Sequence, residues 1–477
     1  MAGLPNQMFK IHKGKNLEIN RQKPEGKSRA SVFCCLSSFL YALFSSFYIL
    51  VLVFCLQLPA NCFQNNNEDY DSIIVHPKKQ LLRSPRLLNR LMYRNGVQTF
   101  ARIADNAFVI SLDEDNGSTK EEKVASLRKS GLYDLVEPDY KFSLDEENEV
   151  SRKYVRVKTH KNLDISSVTF DANEAKEITP NDKGFSAQYY LREINATKAW
   201  DTTVGSELLV GVLDTGVDES HPDLAGKVIG GINLNNQDLR DEIGHGTEVS
   251  GIIAANTNNT QGIAGIGWNT KIVSMRVTDA AGQARVSTVV SALNEAYKRG
   301  VKVVQLSLST NQFSQTFKNA IEEAQSKGIL IVSTGGNTGI EEVRYPAAFD
   351  GVIGVGAVDE SREREYYSTQ GDHVSIVAPG ASIYTTSLKD GYNSVSGTSF
   401  AAPQVAGAAA LVWSVAPDLT NDQVRDILLQ SADDLGDSGK DKDYGYGLLN
   451  IQKAVGLAKS SLGNTLEIKS WIKNFKE

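Results

Sequence analysis

Three residues that lie far apart in the sequence carry side chains suited to nucleophilic chemistry. Asp214 ends an apolar run, so we expect a carboxylate at the end of a buried strand. His245 stands where a helix is predicted to begin, and Ser399 precedes the apolar run Ala401–Trp413, which places its hydroxyl at a predicted helix N-terminus. A serine nucleophile needs a base within hydrogen-bonding reach and an acid that orients this base. Aspartate, histidine and serine supply those roles.

Asn337 is a candidate for a fourth role. It follows two glycines after the apolar run Ile329–Ser333, so its amide is predicted at the carboxyl edge of a sheet, where ligand sites collect. An amide at that edge could donate hydrogen bonds to a developing oxyanion. The alternative interpretation is a simple turn rich in asparagine and glycine.

The scaffold for these residues is predicted over residues 186–460, where apolar runs alternate with helical stretches. This pattern indicates the α/β fold class, with a parallel sheet covered by helices on both faces. The predicted strands are Leu208–Leu213, Ile272–Arg276, Val301–Ser307, Gly328–Ser333 and Val352–Val358. The predicted helices include Val286–Arg299 and Gln315–Lys327.

A small α+β domain is predicted upstream, over residues 68–145. Thr119 and Glu122 have the spacing of a capping box, which predicts the start of a helix. Residues 146–185 are charged and poor in apolar side chains, which is typical of a connector, and residues 461–477 form a C-terminal tail. The predicted strands of the small domain are Ser72–Val75, Ala107–Leu112 and Leu135–Leu144.

Residues 1–62 predict export, with the rest of the chain secreted or anchored outside the membrane. Residues 1–29 carry seven basic and two acidic side chains, and no charged residue occurs from Ala30 to Asn67. The apolar stretch 32–58 is long enough to cross a hydrocarbon core of ~30 Å, and the basic flank would hold the N-terminus in the cytoplasm. An uncleaved anchor and a long signal peptide are both open interpretations. The missing charges disfavour a buried core helix.

The overall composition excludes several classes of protein. Lys plus Arg is 50 against 57 for Asp plus Glu, and the formal charge of −7 argues against nucleic-acid binding, which needs a basic face. All four cysteines lie in the first 62 residues. The rest of the chain therefore has no disulfide, no cysteine-ligated metal and no cysteine nucleophile.

Six short blocks of sequence follow one another in a recognisable order. They are Leu213–Val217, His221–Leu224, His245–Thr247, Gly262–Gly265, Gly336–Asn337 and Gly397–Pro403. In this order, over about residues 180–455, they resemble the subtilisin family of serine proteases (subtilases), and its thermitase-like branch in particular. The resemblance implies a serine endopeptidase with Ser399 as nucleophile, His245 as general base and then acid, Asp214 as orienting carboxylate and Asn337 as oxyanion donor.

The resemblance also implies polypeptide substrates and a cleft that binds them. The cleft residues that it implies are Ser307, Leu308, Ser309, Thr334, Gly335 and Gly336. Ser309 and Thr334 stand where the family commonly has glycine and alanine, which would narrow the cleft. Glu341 and Glu342 either favour a basic residue before the cut or are exposed loop acids, and both interpretations are open.

Subtilases are commonly made with an inhibitory propeptide of ferredoxin-like fold, and residues 68–145 resemble one. Val136–Tyr140 is similar to the final strand of such domains. The resemblance therefore implies that the enzyme's own propeptide is its intramolecular inhibitor. A small domain, a connector and then the enzyme is the order that self-cleavage requires, and we expect the cut within residues 145–185.

The loop Asn256–Ile263 resembles a calcium-binding loop of the family. A mix of carboxylate, amide and carbonyl oxygens suits Ca²⁺, which would be a structural cofactor. An ordinary polar turn is the alternative interpretation. The ligands that the resemblance implies are the side chains of Asp182, Asp223 and Asn259 and the carbonyl groups of Asn256, Gln261 and Ile263.

Two alternatives to an active serine protease follow from the same residues. Asp214-Thr-Gly216 and Asp437-Ser-Gly439 could mimic the paired motifs of an aspartic protease, although Asp437 lies in a run of charges and glycines. A subtilase fold that binds peptides without cutting them would be expected to lack a triad member, and none is missing. A zinc hydrolase would need a His-Glu-x-x-His block, which the chain lacks.

Overall fold

The N-terminal domain, residues 72–144, carries a four-stranded antiparallel sheet. The computed structural model of the chain describes residues 70–94, 97, 99–112, 119–144, 175–234 and 239–463. In chain order the domain contains β1 (Ser72–Pro77), α1 (Lys79–Leu82), α2 (Pro85–Arg94), β2 (Phe100–Ala104), β3 (Ala107–Ser111), α3 (Lys120–Lys129), β4 (Tyr133–Pro138) and β5 (Lys141–Leu144). The strand order β2-β3-β1-β4 and the βαββαβ succession of elements are those of a ferredoxin-like fold.

Helix α3 begins where the capping box predicts it. The Thr119 hydroxyl accepts a hydrogen bond from the backbone N–H of Glu122 at 3.2 Å, and the Glu122 carboxylate accepts from the N–H of Thr119 at 3.0 Å. The strand predicted over Leu135–Leu144 is wrong in one respect, because the structure has two strands there. Strand β4 stays in the sheet, and β5 leaves it for the C-terminal domain.

The C-terminal domain, residues 175–463, is built on a parallel sheet of seven strands. Its first elements are α4 (Tyr189–Glu193), α5 (Ala196–Ala199), β6 (Leu209–Asp214), β7 (Val228–Asn233), α6 (His245–Ala254), β8 (Lys271–Arg276), β9 (Gln283–Arg285), α7 (Val286–Lys298), β10 (Val303–Leu306) and β11 (Leu308–Ser309). There follow α8 (Gln315–Ser326), β12 (Leu330–Thr334), β13 (Ile353–Val358), β14 (Ile376–Pro379), β15 (Ile383–Ser387), β16 (Gly391–Val395), α9 (Thr398–Val415), α10 (Asn421–Gln430) and α11 (Ile451–Gly463). The sheet has the order β14-β13-β12-β10-β6-β8-β7.

Helices cover both faces of this sheet, as the apolar runs predict. Neighbouring residues of one strand point to opposite faces, so Val303 and Val304 belong to different cores. The core on one side includes α6, α9, α10 and α11, and the core on the other side includes α7 and α8. The five predicted strands correspond to β6, β8, β10, β12 and β13. The strands β7, β9, β11, β14, β15 and β16 were not predicted.

Helix α9 is the most deeply buried helix of the C-terminal domain. Every residue from Thr398 to Trp413 is buried, and small side chains let the neighbouring elements approach closely. A Cβ atom at Gly407 would lie 2.9 Å from Ile266, so glycine is required for this contact. A helix packed so closely gives a fixed position to the residues of its first turn, where Ser399 lies.

The N-terminal domain docks on the first turns of α7 and α8. The Glu137 carboxylate accepts hydrogen bonds from the N–H groups of Gln315 and Thr316 at 3.1 and 2.9 Å. The Asp139 carboxylate accepts from the N–H and the hydroxyl of Ser287 at 2.8 and 2.6 Å. A carboxylate satisfies the free N–H groups at the start of a helix and interacts favourably with its dipole, so these contacts attach the two domains.

Several predictions fall on residues outside the described ranges. These are the basic and apolar segments within residues 1–62, most of the connector and most of the C-terminal tail. Among the helices that are described, none combines the length and the apolar character needed to span a membrane. The interpretation of residues 32–58 therefore stays a prediction.

Candidate active site

The pair Asp214–His245 forms at the carboxyl end of strand β6. His245 Nδ1 lies 2.8 Å from Asp214 Oδ1, so the ring donates its Nδ1 hydrogen to the carboxylate. The same oxygen accepts from the N–H of Thr215 at 2.7 Å. Asp214 is fully buried, and a Cβ atom at Gly246 would lie 2.0 Å from the carbonyl oxygen of Gly216. Glycine after the histidine is what lets α6 approach the end of β6.

Asp241 fixes the start of helix α6, a role that the sequence analysis missed. Its Oδ2 atom accepts hydrogen bonds from the N–H and the hydroxyl of Thr247 at 2.9 and 2.7 Å. Its Oδ1 atom accepts from the Thr215 hydroxyl at 2.8 Å and from the N–H of Gly244 at 2.7 Å. The available signal was an aspartate shortly before a predicted helix start. Asp241 thereby ties the loop after Asp214 to the helix that carries His245.

The charges around His245 favour its protonated form. Burial of the ring lowers the pKa of His245, but the Asp214 carboxylate, with Glu248 and Asp241, more than offsets this, so the pKa lies above its ordinary value of 6.5. Glu248 accepts a hydrogen bond from the Asn393 amide at 3.1 Å, and burial raises the pKa of its carboxyl. A base with a raised pKa is a stronger proton acceptor for a hydroxyl.

Ser399 lies in the first turn of α9, as its sequence setting predicts. The residue is 4% exposed, and its hydroxyl donates to the carbonyl oxygen of Ser307 at 3.4 Å, which is a long hydrogen bond. A cleft of about 290 Å³ is lined jointly by Ser399, His245 and Asn337. Catalytic hydrogen bonds often tighten only when substrate is bound, so a proton transfer from Ser399 to His245 is compatible with this arrangement.

The orientation of the Asn337 amide is set by helix α9. Its Oδ1 atom accepts hydrogen bonds from the N–H and the hydroxyl of Thr398 at 3.0 and 2.7 Å. The Thr398 hydroxyl is also bonded to that of Thr334 at the end of β12. With Oδ1 engaged in this way, the N–H₂ end of the amide is the donor that Asn337 presents to the cleft that it lines.

Strand β5 of the N-terminal domain occupies the cleft. It pairs antiparallel with β11, where Leu144 lies opposite Leu308 and Ser143 opposite Ser309, and it pairs with β9 on its other edge. Leu144 lines the same cavity as His245 and Ser399. An extended segment bound by backbone hydrogen bonds between two strands is the geometry of peptide recognition by strand addition. The site thus already holds a polypeptide in an extended form.

The loop Asn256–Ile263, which the sequence predicts to bind calcium, lies against the Asp223 carboxylate. Asp223 is fully buried. Its carboxylate accepts hydrogen bonds from the N–H of Ile263 at 2.7 Å, the Asn259 amide at 3.3 Å and the Tyr392 hydroxyl at 3.0 Å. All three of these donors are uncharged. A Cβ atom at Gly262 would lie 1.8 Å from Asp223 Oδ2, so only glycine lets the loop wrap around this carboxylate.

Asp182 orders the same loop from another side. Its two carboxylate oxygens accept from the N–H groups of Asn258 and Asn259 at 2.8 and 3.1 Å. Among the described residues, no donor is bonded to the carbonyl oxygens of Asn256, Gln261 and Ile263, and no group of three His, Cys, Asp or Glu side chains gathers as a metal centre. The loop is therefore a candidate site for an oxygen-preferring cation held mainly by carbonyl and amide groups.

An Asp–His pair beside a serine at a helix N-terminus, in a cleft that holds an extended strand, has the geometry of a serine hydrolase for peptides. Comparison with protein families agrees. Residues 205–447 match the model of the subtilase family, and the chain belongs to this family. It is a serine endopeptidase of the thermitase-like branch, as the sequence blocks imply, and the aspartic-protease alternative is thereby excluded.

Individual relatives match over the same part of the chain. The sequence is 40% identical over 281 residues to the thermophilic serine proteinase of Bacillus sp. (strain AK1), covering 58% of this chain and 69% of that protein. It is 38% identical over 280 residues to thermitase of Thermoactinomyces vulgaris, covering 58% of this chain and 99% of thermitase. It is 39% identical over 257 residues to subtilisin DY of Bacillus licheniformis, covering 53% and 92%.

Proposed function

We propose that the protein is an exported serine endopeptidase made as a self-cleaving zymogen, with Asp214, His245 and Ser399 as its triad. The observation that carries the proposal is strand β5, which places Leu144 beside His245 and Ser399 in the way a bound polypeptide would lie. A substrate would take the same path between β9 and β11. Export would depend on residues 32–58. These residues would act either as a signal peptide that is cleaved or as a membrane anchor that stays.

The chemistry would proceed through an acyl-enzyme. Neutral His245 takes the proton of the Ser399 hydroxyl as the hydroxyl oxygen attacks the peptide carbonyl carbon, and it then gives this proton to the leaving amine. Asp214 holds the ring through its Nδ1 hydrogen and stabilises the imidazolium that forms. The Asn337 amide and the backbone N–H of Ser399 would hold the oxyanion. Water then cleaves the ester in the reverse sense.

The N-terminal domain would be the intramolecular inhibitor. Its strand β5 fills the substrate path, and its Glu137 and Asp139 carboxylates bind the first turns of α8 and α7. After the cut within residues 145–185, these contacts would keep the product in place until it dissociates.

Calcium would be a structural cofactor of the C-terminal domain. The Asp223 carboxylate, the Asn259 side-chain oxygen and the carbonyl groups of Asn256, Gln261 and Ile263 offer hard oxygen ligands on one closed loop. All hydrogen-bond donors to Asp223 are neutral, so a cation there would supply the missing positive charge. Asp182 stays a predicted further ligand.

Intact mass of residues 63–477 in calcium, with and without a fluorophosphonate probe, tests the proposal. Wild type is expected to lose the N-terminal domain through a cut within residues 145–185 and to take one probe adduct. Ser399→Ala should stay full-length and unlabelled. Ser396→Ala is the matched control, because Ser396 lines the same cleft and should leave both results intact. A folded wild type that is neither shortened nor labelled would favour the peptide-binding protein without activity.

The sizes of the expected losses are those measured for subtilisin. Removal of the serine nucleophile costs roughly 10⁶ in kcat there, and removal of the asparagine donor costs about 10²–10³. Asn337→Ala is therefore expected to lower kcat by the smaller factor while probe labelling of Ser399 remains detectable.

A further inference from the structure

A buried cation lies in the wall of the cleft. Arg344 is 9% exposed, and its Nε and Nη2 atoms donate to the Ser309 hydroxyl at 3.0 and 2.8 Å. On the other wall, a Cβ atom at Gly336 would lie 2.9 Å from Arg344 Cγ. The arginine side chain therefore spans from β11 to the residue that precedes Asn337.

The position of Arg344 is set by the backbone next to it. Tyr345 and Thr310 form an antiparallel bridge, with N···O distances of 2.8 and 3.0 Å in the two directions. This bridge holds residue 344 against the end of β11. The guanidinium is thus held between Ser309 and Gly336, which are two of the predicted cleft residues.

The two glutamates after Asn337 already bind cations of the protein itself. Glu341 is paired with Lys442, and Glu342 accepts from the Asn311 amide at 3.0 Å and lies 3.5 Å from Arg344 Nη1. Glu341 and Glu342 are thus engaged with the protein's own groups, which disfavours the interpretation that they select a basic residue. At 3.5 Å, the Glu342–Arg344 ion pair is longer than the ~2.7–2.9 Å of a close charge-assisted hydrogen bond.

The register of β5 shows which substrate residue meets Arg344. Ser143 lies opposite Ser309 and Leu144 opposite Leu308, so the next residue along a bound peptide would lie opposite Ser307. Ser307 lies next to the nucleophile, because its carbonyl accepts from the Ser399 hydroxyl. The peptide residue opposite Ser307 is therefore the one whose carbonyl would face Ser399. Side chains alternate along a strand, so it would project to the same face as Ser143 and Ser309, where the guanidinium lies.

We propose that Arg344 makes this enzyme select an acidic residue, Asp or Glu, immediately before the bond that it cuts. The inference rests on the proposed function, because it assumes that Ser399 is the nucleophile. A substrate carboxylate would accept charge-assisted hydrogen bonds from the guanidinium in a site that excludes most water. The chain's own sequence is consistent with this preference, since Leu144 is followed by Asp145, Glu146 and Glu147.

Five fluorogenic peptides test the preference on the mature wild-type enzyme. Each has the sequence Lys-Phe-Ser-Leu-Xaa, taken from residues 141–144, with the leaving group after Xaa and with Glu, Asp, Gln, Leu or Lys at that position. Glu and Gln are the matched pair, because they differ in charge and hardly in shape. We expect kcat/KM for Glu to exceed that for Gln by about 10- to 100-fold, the size of one hydrogen bond to a charged group, and Lys to be the poorest substrate.

Variants of Arg344 then assign the preference to this residue. Arg344→Gln should bring the Glu-to-Gln ratio close to one, and Arg344→Lys should retain part of it, since lysine keeps the charge but loses the planar fork. Labelling by the fluorophosphonate shows whether each variant is folded with an assembled site. The wild-type ratio decides the inference even if a variant fails to fold.

The possible outcomes separate the two proposals. A labelled, active enzyme that cleaves the Gln or Leu peptide as fast as the Glu peptide overturns the acidic preference and leaves the proposed function standing. A fastest rate with Lys also overturns it, in favour of selection by Glu341 and Glu342. An enzyme that takes no probe and cleaves none of the peptides overturns the proposed function, and this inference with it.

Discussion

The two domains cover their sheets in different ways. In the C-terminal domain, helices of the same domain pack on both faces of the sheet. In the N-terminal domain, α2 and α3 cover one face, and the other face packs in a core shared with α7 and α8. Neighbouring residues of β1 show the difference, because Ile73 lies in the domain's own core and Ile74 in the shared one, both fully buried. One face of the N-terminal sheet is therefore covered only when this domain is docked.

The largest expected effect comes from a substitution in the core that the two domains share. Ile74→Ala should weaken binding of the N-terminal domain to the mature Ser399→Ala enzyme by about 2–5 kcal/mol, which is at least thirtyfold in affinity. The helicity and the melting temperature of the free domain should change little, because Ile74 is not part of that domain's own core. Titration calorimetry measures the first quantity and circular dichroism the second.

Ile73→Ala is the matched control, since it removes the same atoms from the same strand on the opposite face. It should lower the melting temperature of the free domain and affect docking through that loss. Equal melting curves for the two variants would contradict the division into an own core and a shared core.

Calcium removal should act on the C-terminal domain alone. A cation present at a hundred times its Kd stabilises the folded state by about 2.7 kcal/mol, so excess chelator should lower the Tm of the mature Ser399→Ala enzyme. Asp223→Asn should reduce the response to chelator, and the free N-terminal domain should not respond. An unchanged Tm of the enzyme in chelator would argue against a calcium site.

The carboxylate caps should have a smaller effect on docking. Glu137→Ala removes the acceptor for two N–H groups at the start of α8, so binding of the N-terminal domain should weaken by about 0.5–2 kcal/mol. Exposed Glu121 on α3 offers the control, and Glu121→Ala should bind like wild type. The two inhibition constants against the mature enzyme provide the measurement, and equal constants would show that the cap contributes nothing.

The smallest effect concerns pH. His76 is buried at the interface with its Nε2 atom 2.9 Å from the Thr316 hydroxyl, and burial lowers its pKa from 6.5, against the opposing charges of Glu137 and Asp134. A lowered pKa means that docking favours the neutral ring, so this contribution is present above pH 6.5 and is lost as the pH falls.

We therefore expect the affinity of the N-terminal domain to fall a few-fold more in wild type than in His76→Gln between pH 7.5 and pH 5.5, both flanking the histidine pKa. Other interface carboxyls titrate in both proteins, so the difference between the two curves isolates His76. Parallel curves would assign the pH dependence to those carboxyls.

Local signals were enough to predict the elements that carry the three residues of the proposed triad. An apolar run ending in Asp214, a helix start at His245 and small residues around Ser399 are each visible within a few residues of sequence. Strand β5 could not be separated from β4, because what draws it away is the bond between Asp139 and Ser287, which lies far along the chain. Arg344 was missed for the same reason. It is hydrogen-bonded to Ser309 and packs against Gly336, and these residues come together only in the folded chain.

The pairing of β5 with both β9 and β11 has a consequence for the rate of folding. Strands of the large sheet pair with partners distant in sequence, such as Val210 with Val303, and chains dominated by such pairings fold slowly because large loops must close first. The N-terminal domain gathers β9, α7, β11 and α8 on one surface, which shortens this search. We expect a chain without residues 70–144 to reach the same native sheet more slowly. The domain whose strand fills the cleft would then also speed up the folding of the domain that contains the cleft.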